Sequence, residues 1–159
     1  MKQLPAILLL ISPLALVGCR ATSPSSTETS IAYWTKHHIT VRGKKDINPL
    51  RATPDNIEEG KELFTSYCMV CHGLDGQNTG IPFAATISPP VPSLASPQVQ
   101  AYTDGQLEWI IENGIYPSGM PPSKGDFAKD EKWQMVLYIR HLPKAGSLGV
   151  PKVYSGSSN

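Results

Sequence analysis

Cys68-Met69-Val70-Cys71-His72 is the stretch on which the reading of this chain turns. Two thiols three residues apart on one helical turn face the same way, and the next residue sets an imidazole beside them. That is the spacing for covalent haem attachment. Each thiol can form a thioether with one haem vinyl group, and the histidine can ligate the iron. Two other uses of a Cys-x-x-Cys pair fit less well. A thioredoxin-like redox pair wants a βαβ context, and no region of the chain shows a sustained period of two. A zinc site needs a fourth ligand and usually a second close pair, whereas the chain has three cysteines in all. The motif assigns Cys68 and Cys71 to thioethers and His72 to the iron of a single haem c.

Upstream of the motif, the sequence predicts a helix from Pro54. Thr53 is a suitable N-cap, proline is tolerated in the first turn, and Asp55, Glu58 and Glu59 favour the positive end of the helix dipole. Ile57, Gly60, Phe64, Tyr67, Cys68 and Cys71 share one helical face, which delivers both haem cysteines at its end. Downstream, the glycines and prolines between Gly73 and Pro97 predict a loop wrapped around something. A short helix follows, opened by the capping-box pair Thr103 and Gln106 and closed by Gly114. A last helix is expected from about Asp130 to Leu142. It has acids first, Arg140 and His141 last, Pro143 as the stop, and a core stripe of Met135, Tyr138, Ile139 and Leu142.

A second iron ligand is sought among the methionines. Met1 leaves with a leader, Met69 lies between the two thioether cysteines, and Met135 belongs to the core stripe. Met120 remains, in Ser118-Gly119-Met120-Pro121-Pro122, where glycine allows close approach and the prolines stiffen the loop. His141, His37, His38 or no protein ligand at all are the competing assignments.

The apolar run from Leu4 to Val17 is shorter than the roughly 20 residues a membrane span requires, and it reads as the core of a secretory signal. Leu16-Val17-Gly18-Cys19 resembles the lipobox of bacterial lipoproteins, which implies that Cys19 is acylated and becomes the new N-terminus. This accounts for the third cysteine. The expected organisation is a signal peptide over 1–18, a flexible Ser/Thr-rich tether over 19–30, a basic extension over 31–51, a folded domain over 52–143 and a loose tail over 144–159. The extension can pack on the domain, lie near anionic headgroups or bind a partner, and packing on the domain ranks first. With the signal removed, basic and acidic residues balance, so the chain offers no basic stripe for nucleic acid.

Residues 54–143 resemble a class I c-type cytochrome of the bacterial monohaem kind. The resemblance rests on Gly60 and Phe64 ahead of the first cysteine, Trp133 and Tyr138 on the last helix, and Gly119-Met120-Pro121. It implies an all-α, small cytochrome c fold, three main helices and long loops around one covalently bound haem, with His72 and Met120 as axial ligands. It also implies a proline carbonyl accepting a hydrogen bond from the ligating histidine, for which Pro89 and Pro90 are the candidates. The expected role is one-electron transfer outside the cytoplasm, by a carrier that is not itself an enzyme and has no small-molecule substrate. It would serve redox protein partners or a membrane complex, beside a membrane reached through the lipid anchor. If Met120 is not a ligand, the alternative is a five-coordinate haem protein binding gas or peroxide. Between Lys61 and Lys124 there is no lysine or arginine, so a lysine ring around the haem edge is not expected. An apolar rim including Ile81, Pro82, Phe83, Ile115 and Pro121 is expected instead.

Overall fold

Thr53 opens the helix that carries the cysteines. Its extended backbone, φ −83° and ψ 155°, turns Oγ1 to accept the amide of Asn56 at 3.3 Å, and Pro54 follows in the first turn. In this computed structural model, residues 25–35, 39, 41, 44–115 and 119–156 are described. The chain divides into two units, residues 1–33 and 34–159. The described residues hold six helices: α1 (Ser26–Thr35), α2 (Pro54–Tyr67), α3 (Met69–His72), α4 (Pro97–Gln100), α5 (Asp104–Asn113) and α6 (Lys129–Arg140). Among them no strand forms beyond one isolated antiparallel bridge, Ile115 to Met120. The all-α expectation holds.

α1 falls partly within the segment expected to be a flexible tether. It is helical from Ser26, and its Ile31 and Trp34 are exposed. No described helix is long and apolar enough to cross a membrane.

The core sits where α2 crosses α6. A Cβ on Gly60 would lie 2.0 Å from the carbonyl oxygen of Gln134, so only glycine lets the two backbones approach this closely. Phe64 fills the space beside that crossing and meets Tyr138 with ring centroids 5.2 Å apart. Met135, Val136, Trp133 and Ile139 join from α6, and Leu107, Ile110 and Ile111 from α5. Tyr67 departs from the expected stripe. At the margin of the buried face, it leans edge-on against Phe127 at 4.7 Å and leaves 60% of its surface in water.

α5 carries the expected capping box, with the Thr103 hydroxyl accepting from the Gln106 amide and the Gln106 side chain accepting from the Thr103 amide. α6 begins one residue before the expected start and stops at Arg140. The residue before a proline disfavours helical backbone, and Pro143 follows Leu142. Two ionic contacts tie α6 to α5. Arg140 pairs with Asp104 at 2.9 Å, and the buried Lys132 faces Glu108 at 3.7 Å and Glu112 at 3.4 Å.

The described part of the basic extension packs on the domain. Val41 is a core residue at 1% exposure, Asn48 donates its side-chain amide to the Trp133 carbonyl at 2.9 Å, and the Gly105 amide donates to Asp46. The tail corrects its expectation. Residues 144–156 return along the domain: the Gly146 amide donates to Asp75, Pro151 is fully buried, and Tyr154 donates its hydroxyl to the Val70 carbonyl. Its anchors are the buried ring of Pro151, one backbone amide and one hydroxyl, and the last two meet residues far away in the chain that a local reading does not register.

Candidate haem site

α2 ends at Cys68, whose backbone (φ −102°) breaks the helix without turning it far, and α3 continues as one turn that holds Met69 to His72. Cys68 and Cys71 are free thiols on that turn. Gly73 then terminates it with φ 76°, its amide donating to Met69, and the chain folds back so that the Asn78 amide donates to the His72 carbonyl at 2.8 Å. Gly73 is required here. A Cβ would meet the Thr79 nitrogen at 2.9 Å in a conformation that L side chains rarely adopt.

Desolvation sets the ionisation of the motif. It lowers the His72 pKa to about 4, partly opposed by the carbonyl of Pro92, so the imidazole is neutral at physiological pH, as an iron ligand must be. Desolvation, together with neighbouring Cys71, raises the Cys68 thiol to about 12. The carbonyl acting on His72 is that of Pro92, in place of the expected Pro89 or Pro90. Pro89, Pro90 and Pro92 are all exposed, so burial does not separate them; what fixes the backbone just before Pro92 is Val91, whose carbonyl accepts from the Asn78 side chain at 2.8 Å and whose amide donates to the Ala84 carbonyl at 2.8 Å. His72 Nδ1 is buried without a full hydrogen bond. Phe64 lies beside the ring at 6.4 Å between centroids.

Met120 stands at the base of a turned loop. The Ile115 amide donates to its carbonyl at 3.1 Å, and Ser123 fastens the returning strand to the end of α5 through Ile111 at 2.6 Å. Gly114 lets these backbones meet, since a Cβ there would be 2.4 Å from the Met120 oxygen. Met120 and Cys68 are both partly buried and pack against the same core cluster. His141 lies away from this role: it is exposed, with Nδ1 against the Leu137 carbonyl at 2.8 Å. Cys19, His37 and His38 lie outside the described residues. Of the expected rim, Pro82 and Pro121 are exposed, Phe83 and Ile115 are half-buried, and Ile81 is buried at 7% exposure and so faces inward.

These residues fit a covalently held haem. Two unpaired thiols share one turn, a buried neutral imidazole follows them, and the packing around them is apolar. Sequence reasoning missed Asp75, which is fully buried in the loop after the motif and accepts from the Thr79 hydroxyl at 2.5 Å, the Gly146 amide at 2.7 Å and the Gln77 amide at 2.9 Å. It was legible only as a lone charge in a segment otherwise devoid of charge from Gly73 to Thr103.

Residues 55–139 match the family described as cytochrome C oxidase, cbb3-type, subunit III. Over 91 residues the chain is 25% identical to the quinohemoprotein alcohol dehydrogenase ADH IIB of Pseudomonas putida, covering 57% of this chain and 12% of that protein. Among solved structures it is similar to the reducing HAO-like protein complex of Kuenenia stuttgartiensis, at 22% identity and a TM-score of 0.48, over 58% of this chain and 46% of that one. It is also similar to cytochrome cL from the marine methylotroph Methylophaga aminisulfidivorans, at 17% identity and a TM-score of 0.43, over 79% of this chain and 71% of that one. The chain thus spans a small part of the curated relative and less than half of the first of these structures.

Proposed function

The chain belongs to the family described as cytochrome c oxidase, cbb3-type, subunit III, and from that premise we propose that this c-type cytochrome is a one-electron carrier with His72 and Met120 as axial ligands of a single haem. The observation that carries the reading is the α3 turn, with two free thiols and the neutral imidazole of His72 side by side. A haem held there supplies a one-electron couple between ferric and ferrous iron. Cys68 and Cys71 fix it to the chain, so a domain too small to enclose the macrocycle still retains it. His72 would hold the iron on one side, and Met120, on its glycine- and proline-flanked loop, would hold it on the other. Held by both residues, the iron would offer no open site to oxygen or peroxide, and the thioether would favour the reduced state. Electron transfer follows as the chemistry left available.

In this reading Cys19 is lipid-modified and keeps the carrier on the periplasmic side of a membrane, beside redox protein partners, as a free carrier or as the cytochrome subunit of a respiratory-type complex. The test is extraction with acidified organic solvent. Haem is expected to stay with the polypeptide after denaturation, and the Cys68→Ala, Cys71→Ala double variant is expected to yield no stable holoprotein. Haem that leaves the wild-type chain under these conditions overturns the proposal.

A further inference from the structure

Asp75 is the one fully buried charged side chain among the described residues, and it sits three positions beyond His72 in the loop that leaves the haem-binding turn. The donors on its carboxylate are neutral: the Thr79 hydroxyl and the amides of Gln77 and Gly146. Among the described residues no lysine or arginine forms an ion pair with it, and the ion pairs present lie elsewhere. A buried carboxylate held in this way is stabilised as the anion, but its charge is not cancelled. Its charge acts on Tyr138, which belongs to the core cluster beside the haem-binding turn. Tyr138, which donates to the Leu74 carbonyl at 2.9 Å next to Asp75, has its own ionisation disfavoured by burial and by the Asp75 charge. The Tyr138 ring packs on Phe64, and Phe64 lies beside His72.

Resting on the haem-carrier reading, we infer that Asp75 is a positioning residue that also acts as a fixed negative charge, stabilising the ferric state and holding the reduction potential below the value His/Met ligation alone would give. The C-terminal segment takes part in this. Gly146 supplies one of the three donors that keep the carboxylate ionised and oriented, and Tyr154 holds the Val70 carbonyl between the two haem cysteines at 2.8 Å. The tail therefore braces the loop that carries the charge and the turn that carries the haem.

The sign of the effect separates charge from structure. Loss of the charge destabilises ferric iron and moves the midpoint positive, whereas loosening that admits water favours the ferric state and moves it negative. In Asp75→Asn holoprotein the midpoint is expected to be more positive than in the wild type, and by the same shift at low and high ionic strength, because a buried charge is little screened. Tyr138→Phe, which removes a neutral hydrogen bond from the same loop, is expected to leave the midpoint near the wild-type value. An Asp75→Asn midpoint that is unchanged or more negative, with the methionine charge-transfer band intact, overturns the inference. If this variant fails to accumulate or loses the band, redox-difference infrared spectroscopy of wild-type protein labelled with 13C-aspartate decides. A labelled carboxylate band that shifts between the two oxidation states supports the inference, and the absence of one overturns it. A wild-type chain without covalent haem would instead be the failure of the carrier reading.

Discussion

Gly60→Ala is expected to cost more stability than its chemistry suggests. The added Cβ would stand 2.0 Å from the Gln134 oxygen, 2.5 Å from its carbonyl carbon and 3.1 Å from the Met135 nitrogen. Non-bonded carbon contacts settle near 3.5–4.0 Å, so α2 and α6 must part by more than about 1 Å, and a gap of that size forfeits up to about half of the dispersion energy across the crossing. Overpacking costs about 1–3 kcal/mol, and the upper end applies because the obstacle is helical backbone, with no side chain to rotate away. Alanine returns about 1 kcal/mol through helix propensity. The net loss is about 2 kcal/mol, or a fall in melting temperature of about 8–16 °C for a domain of this size. Thermal unfolding of the ferric holoprotein followed by far-ultraviolet circular dichroism measures it. Gly156→Ala is the control, since a Cβ there meets nothing within 4 Å, and it is expected to melt with the wild type. A Gly60→Ala protein that melts at or above the wild-type temperature refutes the close crossing of α2 and α6.

Asp75 gives a pH dependence. Burial raises its pKa, but the hydrogen bonds from Thr79, Gly146 and Gln77 outweigh burial and leave it below the usual carboxylate value, so its stabilisation is present above about pH 4 and fades as pH falls through the folded value. Asp75→Asn should lose about 1–3 kcal/mol at pH 7 through an unsatisfied donor, and denaturant titrations should show this deficit shrinking on acidification; a deficit independent of pH contradicts the assignment. Met120→Ala should lower the midpoint, abolish the red charge-transfer band of the ferric protein and let ferrous protein bind carbon monoxide, whereas rapid binding by the wild type would favour the five-coordinate alternative. Cys19→Ser should move the protein from the membrane fraction to the soluble extracytoplasmic fraction, because acyl chains contribute about 0.8 kcal/mol per buried methylene to anchoring. Electron-transfer rates should change little with ionic strength, since no charged side chain other than buried Asp75 lies between Gly73 and Thr103; a steep fall with salt against an acidic partner would point to the exposed Lys144 and Lys152 of the tail as a docking rim.

The parts of this fold that could be read from the sequence are those decided within a few residues. Thr53-Pro54, the Thr103 and Gln106 box and the Pro143 stop each act on a neighbouring turn, and each stands where the local chemistry puts it. Gly60 and Phe64 were readable for a related reason, since the helical repeat places them on one face with the cysteines. The features that were missed depend on residues far apart in the chain. Tyr154 meets a carbonyl 84 residues away, and Gly146 meets a carboxylate 71 residues away. Lys132 reads as a solvated surface cation until α5 brings Glu108 and Glu112 to it. Pro92 was displaced from the expected Pro89 or Pro90 because a run of prolines gives no sign of which carbonyl turns inward.

His72 and Asp75 lie three residues apart, and the same loop drives them to opposite protonation behaviour. Burial alone would make both groups neutral, because it disfavours the charged form of an imidazole and of a carboxylate alike. The difference lies in the hydrogen bonds. Burial outweighs the Pro92 carbonyl at His72, whose Nδ1 lacks a full hydrogen bond, so the ring stays neutral. Asp75 receives three donors, so it stays ionised. Two of those donors, Gln77 and Thr79, come from the turn that Gly73 and Gly76 allow, and the third comes from Gly146 in the returning tail. A neutral ligand beside a retained negative charge is therefore produced by loop geometry and one distant amide, and a chain ending at Pro143 would keep the haem-binding motif while losing part of what holds that charge.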